Sequence, residues 1–132
     1  MQPTKPEEIV KQIEKLAENR KAHQLLFISE IRPIAAIKLR MAIDDFKKRY
    51  SDVKEIDLIL SSPGGSGDDA YRIIRTLRKN FETVNIIVPF WAKSAATLIS
   101  LGASILVMDE FGELGPIDAQ VGKVRDDSPQ YE

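Results

Sequence analysis

Two short segments of this chain combine residue types that carbonyl chemistry requires. Ser94 stands within Trp91-Ala92-Lys93-Ser94-Ala95-Ala96-Thr97, at the head of a small-residue run with helical character. A hydroxyl at a helix start lies beside unpaired N–H groups and the positive end of the helix dipole. Ala95 and Ala96 leave room beside it for a substrate and for tight helix packing. Earlier in the chain, Ser62-Pro63-Gly64-Gly65-Ser66-Gly67-Asp68 carries paired glycines. Glycine opens backbone conformations closed to other residues and lets a ligand approach the main-chain amides. Fixed, unpaired amides can stabilise a developing oxyanion. Each segment also has a plainer role, as a tight turn and as a helix cap respectively. Their occurrence together, on successive strand-to-helix junctions, is far less common by chance.

The elements that must position these segments are legible from periodicity. Pro6 to Arg20 sets Ile9, Ile13 and Leu16 on one helical face. His23 to Ser29 is a short apolar run suited to a buried strand. Pro33 to Tyr50 repeats Ile34, Ile37, Met41 and Phe46 at helical spacing and ends in Lys47-Lys48-Arg49, cations that complement a helix C-terminus. Glu55 to Leu60 predicts the next strand and Asp68 to Lys79 a second helix, with Ala70, Ile73, Ile74 and Leu77 as its stripe. Thr83 to Val88 predicts a strand ended by Pro89, Ser94 to Leu101 a helix, and Ser104 to Met108 another strand. Beyond Met108, regular structure is interrupted by Gly112, Gly115 and Pro116. Strands alternating with helices in this order predict βαβ units and an α/β fold with a mostly parallel sheet. Loops at the strand C-terminal ends are where such sheets do chemistry.

The bulk composition narrows the function classes. Nineteen basic and twenty acidic side chains leave a net charge of −1, which offers no attraction to nucleic acid or an anionic membrane. The chain has no cysteine, which excludes disulfides, thiolate chemistry and cysteine-based metal sites; a reducing cytoplasm is the expected compartment. Met1 to Arg20 has no apolar core of the signal-peptide kind, and no apolar run approaches the ~20 residues of a membrane span. One domain over residues 1–132 is expected, with an N-terminal helix within 1–22 and a polar, weakly ordered tail over 121–132.

The runs IDLILSSPGGSGDDAYRIIRTLRK and VPFWAKSAATLISLGASILVMDEFGELGPIDAQ resemble the serine dehydrogenase proteinase branch of the Clp/crotonase superfamily. Signal peptide peptidase A and the Clp protease proteolytic subunit are more distant relatives. The resemblance covers Ile56 to Gln120 and rests on the Ser-Pro-Gly-Gly turn, the Ser-Ala-Ala-Thr helix start and the Leu-Gly-Pro-Ile-Asp segment. It implies a serine peptidase acting on a peptide or protein, with Ser94 as nucleophile. The N–H groups of Gly65 and Ala95 would form the oxyanion hole, and Gly64 would shape the turn. It also implies a homo-oligomer, and it calls for no metal and no organic cofactor.

A serine hydroxyl needs a base, because at neutral pH it is almost wholly protonated. Where the Clp relatives have their catalytic histidine, this chain has the Gly115-Pro116-Ile117-Asp118 stretch. Relatives with a lysine base generally supply it further downstream. Lys123 is the best in-chain lysine, although its polar neighbours would do little to lower its pKa. Asp118 could orient a base or touch substrate, or could simply cap a turn. His23, the only histidine, reads as a strand-end residue, and Lys93 as a solvated neighbour of Ser94. The polar ending after Gln120 lacks the further elements such folds contain, so the expectation is a shortened chain or a copy without a complete site.

Three other readings fit some of the residues. Gly65-Ser66-Gly67-Asp68-Asp69-Ala70 satisfies the G-x-G-x-x-A pattern of dinucleotide sites, but Asp68 and Asp69 would set negative charge where a pyrophosphate should bind. A catalytically silent assembly domain on the same fold accords with the missing base; Phe90 and Trp91 could serve a subunit contact or a substrate channel, or simply be core. An enoyl-CoA hydratase-like enzyme would use the same amides on a thioester enolate and would need no serine.

Overall fold

The computed structural model describes residues 6–118. The Lys123 candidate and the 121–132 tail lie outside the described residues. The elements run α1 (Pro6–Arg20), β1 (His23–Ile28), α2 (Pro33–Arg49), β2 (Glu55–Ser61), α3 (Gly67–Asn80), β3 (Thr83–Val88), β4 (Trp91–Ala92), α4 (Ala95–Leu101), β5 (Ile105–Met108) and β6 (Glu113–Leu114).

Local chemistry explains most of these boundaries. Pro33 opens α2 at a position where its missing N–H costs nothing, and the three-cation run closes it. Ser66 caps α3, its hydroxyl accepting from the Asp69 N–H at 3.2 Å. Asp68 and Asp69 occupy that helix's first turn and Arg78 and Lys79 its last, so charge follows the dipole at both ends.

Strands β1, β2, β3 and β5 form one sheet in that order, every pair parallel. The strand order never reverses. With right-handed crossovers, a one-way progression carries the connecting helices to one face of the sheet. The core accordingly joins Phe27, Ile56, Leu58, Leu60, Val84 and Ile86 from the strands to Ile43, Ile73, Leu77 and Ile99 from α2, α3 and α4. Among the described strands, the lack of a reversal leaves no switch-point crevice of the kind that holds a dinucleotide.

The opposite face carries a polar row. Gln24, Asp57 and Asn85 are aligned across β1, β2 and β3, and Asp57 and Asn85 are wholly buried. Arg20, at the end of α1, makes a two-pronged ion pair with Asp57, its Nη2 3.1 Å from Oδ1. Asn85 Nδ2 donates to Asp57 Oδ1 at 3.0 Å and to Glu55 Oε1 at 2.7 Å. A carboxylate inside a strand is tolerable only when paired in this way.

The expected stripe on α2 needs correction. Ile34, Ile37 and Met41 are 58%, 53% and 60% exposed, whereas Leu39 and Ile43 are buried. The helix is apolar on two faces, and Phe46 belongs with Leu39 and Ile43 on the inner one. Strands β4 and β6 are additions to the predicted elements. Two residues each, they pair in parallel as a separate small sheet and are too short to leave an alternating pattern.

Candidate active site

Ser94 stands on the residue that caps α4, with φ 51° and ψ −119°. A positive φ is costly for a residue with a side chain and survives only where the surroundings over-determine it. Ser94 is half-buried, and its hydroxyl makes no capping bond to its own helix. Small residues pack behind it, Ala95 and Ala96 being buried.

The diglycine turn is fastened on both sides. Ile31 N–H donates to Gly64 O at 2.7 Å and Ser66 N–H to Ile31 O at 2.9 Å, which bridges the turn to the chain after β1. Ser62 N–H donates to Trp91 O and Lys93 N–H to Ser62 O, both at 3.0 Å, which bridges it to β4. Gly64 N–H is taken by Ser62 Oγ at 3.1 Å.

These bonds bring the two segments together. A β-carbon on Gly64 would lie 2.7 Å from Lys93 O, 2.9 Å from Ser94 Cβ and 3.4 Å from Ala95 N. One on Gly65 would lie 2.2 Å from Ile31 O. With φ of 106° and 140°, both positions require glycine for conformation as well as for space. Among the described residues, neither the Gly65 N–H nor the Ala95 N–H donates to any acceptor. The arrangement therefore offers a hydroxyl and two unengaged amides around one short turn contact. Such a group can hold a carbonyl, attack it and stabilise the oxyanion that forms.

The base candidates fall differently. His23 packs edge-on against Phe46 and tilted against Tyr50, at ring separations of 5.2 and 4.8 Å, at the start of β1 and so at the end of the sheet away from Ser94. Lys93 does not lie free in solvent: its Nζ donates to Glu113 Oε2 at 2.7 Å and approaches Leu114 O at 3.4 Å. That hydrogen bond and the lysine charge hold the exposed Glu113 carboxyl below the usual glutamate range. Asp118 is exposed. Among the described residues, no ionisable side chain hydrogen-bonds the Ser94 hydroxyl. An open hollow of about 590 Å³ lined by Lys47, Lys54, Arg78 and Phe81 lies at the N-terminal ends of β2 and β3, remote from this chemistry.

Sequence reasoning missed Thr97, whose buried hydroxyl lies 2.7 Å from Ala92 O and 3.0 Å from Gly115 O. The signal was a lone polar β-branched residue in an otherwise small and apolar helix start.

The parallel α/β sheet with its connecting helices is a fold shared with ClpP-like proteins. Solved structures with this fold include a membrane-bound stomatin-specific protease, at TM-score 0.65 and 20% identity over 81% of this chain and 52% of that one. ClpP1 from Listeria monocytogenes aligns at TM-score 0.55 and 22% identity, over 70% of this chain and 51% of that one. Residues 38–129 match the family of ClpP-like SDH-type serine proteinases, and the chain belongs to that family. Two uncharacterized proteins of Methanocaldococcus jannaschii are 43% identical over 70 residues and 35% identical over 68, respectively 53% and 52% of this chain. The chain spans about a quarter of their length, 24% and 23%.

Proposed function

We propose that this chain supplies the nucleophile and oxyanion hole of a serine peptidase. Ser94 Oγ attacks the scissile carbonyl carbon and passes its proton to a base, while the Gly65 and Ala95 N–H groups hold the carbonyl oxygen as it becomes an anion. Collapse of that intermediate breaks the C–N bond, the leaving amine takes the proton, and water then hydrolyses the acyl-enzyme. The base is a lysine outside the described residues, with Lys123 the candidate within this chain. Asp118 is in reserve as an orienting residue. Membership of a serine proteinase family supports the reaction class. The observation that carries the reading is the strained Ser94 turn seated against Gly64, with unengaged amides on both sides.

Ser94→Ala in the full-length protein removes both peptidase activity and labelling by an active-serine fluorophosphonate. Undiminished peptide hydrolysis by that variant would sink the assignment. A second reading, a catalytically silent assembly domain, draws on the lack of a described base beside the Ser94 hydroxyl. It predicts that the wild-type protein is never labelled. Homo-oligomers belong to the proposal on family grounds, and the exposed Ile34, Ile37 and Met41 are compatible with them. No helix of the described residues is long and apolar enough to cross a membrane.

A further inference from the structure

We infer that Thr97 is a positioning residue, whose hydroxyl ties β4, just before Ser94, to the chain at the end of β6 and so fixes the Ser94 turn. The inference rests on the reading of Ser94 as nucleophile. Thr97 lies in the first turn of α4 and is 5% exposed. Its Oγ1 is 2.7 Å from Ala92 O and 3.0 Å from Gly115 O, and it accepts from the Gly115 N–H at 3.1 Å. In the first turn of a helix the carbonyls three and four residues back lie at or before the cap, so a threonine there can bond across to other elements. Here both carbonyls lie outside α4, one on β4 and the other just beyond β6.

The β4–β6 pair is otherwise two residues on each side, held by its ladder and by the Lys93–Glu113 ion pair. At the ends of its ladder, Glu113 N–H donates to Phe90 O at 2.6 Å and Gly115 N–H to Ala92 O at 3.3 Å. Beside the longer of these, the Thr97 hydroxyl is the better anchor for Gly115. Gly115 in turn abuts the nucleophile turn. A β-carbon there would lie 3.1 Å from Lys93 Cα and 3.2 Å from Ser94 N. Displacement of Gly115 is therefore felt at Ser94, whose φ of 51° depends on its surroundings. Small errors of placement at a reacting group cost about 100-fold in rate.

The test compares wild type, Thr97→Val, Thr97→Ala and Thr97→Ser in the full-length protein. Second-order rates of fluorophosphonate labelling at Ser94 are measured over a range of pH, alongside thermal midpoints. The two variants without a hydroxyl should label about 10–100-fold more slowly, with an unchanged pH profile, while Thr97→Ser keeps most of the wild-type rate. Wild-type labelling by folded Thr97→Val or Thr97→Ala overturns the inference. So does a folded Thr97→Ser that labels about 10–100-fold more slowly than wild type, the measurement that decides the matter if the other two do not fold. Wild-type protein that never labels is a different result, and rejects the peptidase reading itself.

Discussion

Gly64→Ala tests whether the turn and the serine form one unit. Alanine at φ 106° carries backbone strain of about 1–3 kcal/mol. Its methyl group would also sit 2.7 Å from Lys93 O and 2.9 Å from Ser94 Cβ, both closer than real contacts allow. Neither neighbour yields easily, because Lys93 N–H is bonded to Ser62 O and Lys93 O accepts from Ala96 N–H at 2.9 Å. The combined destabilisation should reach about 2–4 kcal/mol. A backbone that gives way instead carries Ser94 and the Ala95 amide out of line. Labelling then falls about 100–1000-fold, the usual effect of losing one oxyanion donor. Urea denaturation read by far-ultraviolet circular dichroism gives the first quantity and fluorophosphonate kinetics the second. Gly67→Ala is the control: its β-carbon meets only Leu98 Cδ1, at 4.0 Å, so stability should change by less than about 1 kcal/mol. A Gly64→Ala protein with wild-type midpoint and wild-type labelling would refute the reasoning.

Arg20→Ala leaves the buried Asp57 carboxylate without its cation and should destabilise by about 3 kcal/mol, at the lower end for a broken buried pair because Arg20 is partly exposed. Asp57→Asn in that background should recover part of the loss in denaturant titrations; a further loss would show that the ion pair is not what matters. The Glu113 carboxyl, held below its usual range by Lys93, contributes to the β6 attachment above the ordinary glutamate range and ceases to do so as pH falls through the lowered value. Trp91, the only tryptophan, pairs with Glu113 across β4 and β6 and reports the change. Its fluorescence should shift on the acid side in wild type and not in Glu113→Gln. Identical acid profiles would remove the ion pair from the account.

Much of the architecture could be read from the chain because its main elements obey one period each. The stripe of Ala70, Ile73, Ile74 and Leu77 is buried in α3, and β3 runs Thr83–Val88 as expected. The α2 error came from a helix with two apolar faces, a case in which periodicity cannot say which is inward. Strands β4 and β6 were invisible because two residues carry no period, and what holds them is main-chain bonding, a threonine and the Lys93–Glu113 ion pair. The proximity of Gly64 to Ser94 was expected from adjacent junctions. The strained φ of Ser94 had no counterpart in residue type, since positive φ is foreseeable only where glycine or asparagine signals it. The Lys93–Glu113 pair joins residues distant in sequence, and the hydrogen bonding of Asp57 likewise depends on a helix that precedes its strand.

The polar row on the second sheet face has a consequence for how the strands find their alignment. Successive residues of a strand point to opposite faces. Sliding β3 past β2 by one position would carry Asn85 into the layer now filled by Val84, Ile86 and Val88, among the apolar side chains of three helices. Sliding it by two, in the direction that sets Ile87 beside Asp57, would keep the faces but strip the carboxylate of its amide donor. Valine, leucine and isoleucine are interchangeable partners that fit many offsets nearly equally well. Asp57 and Asn85 fit one.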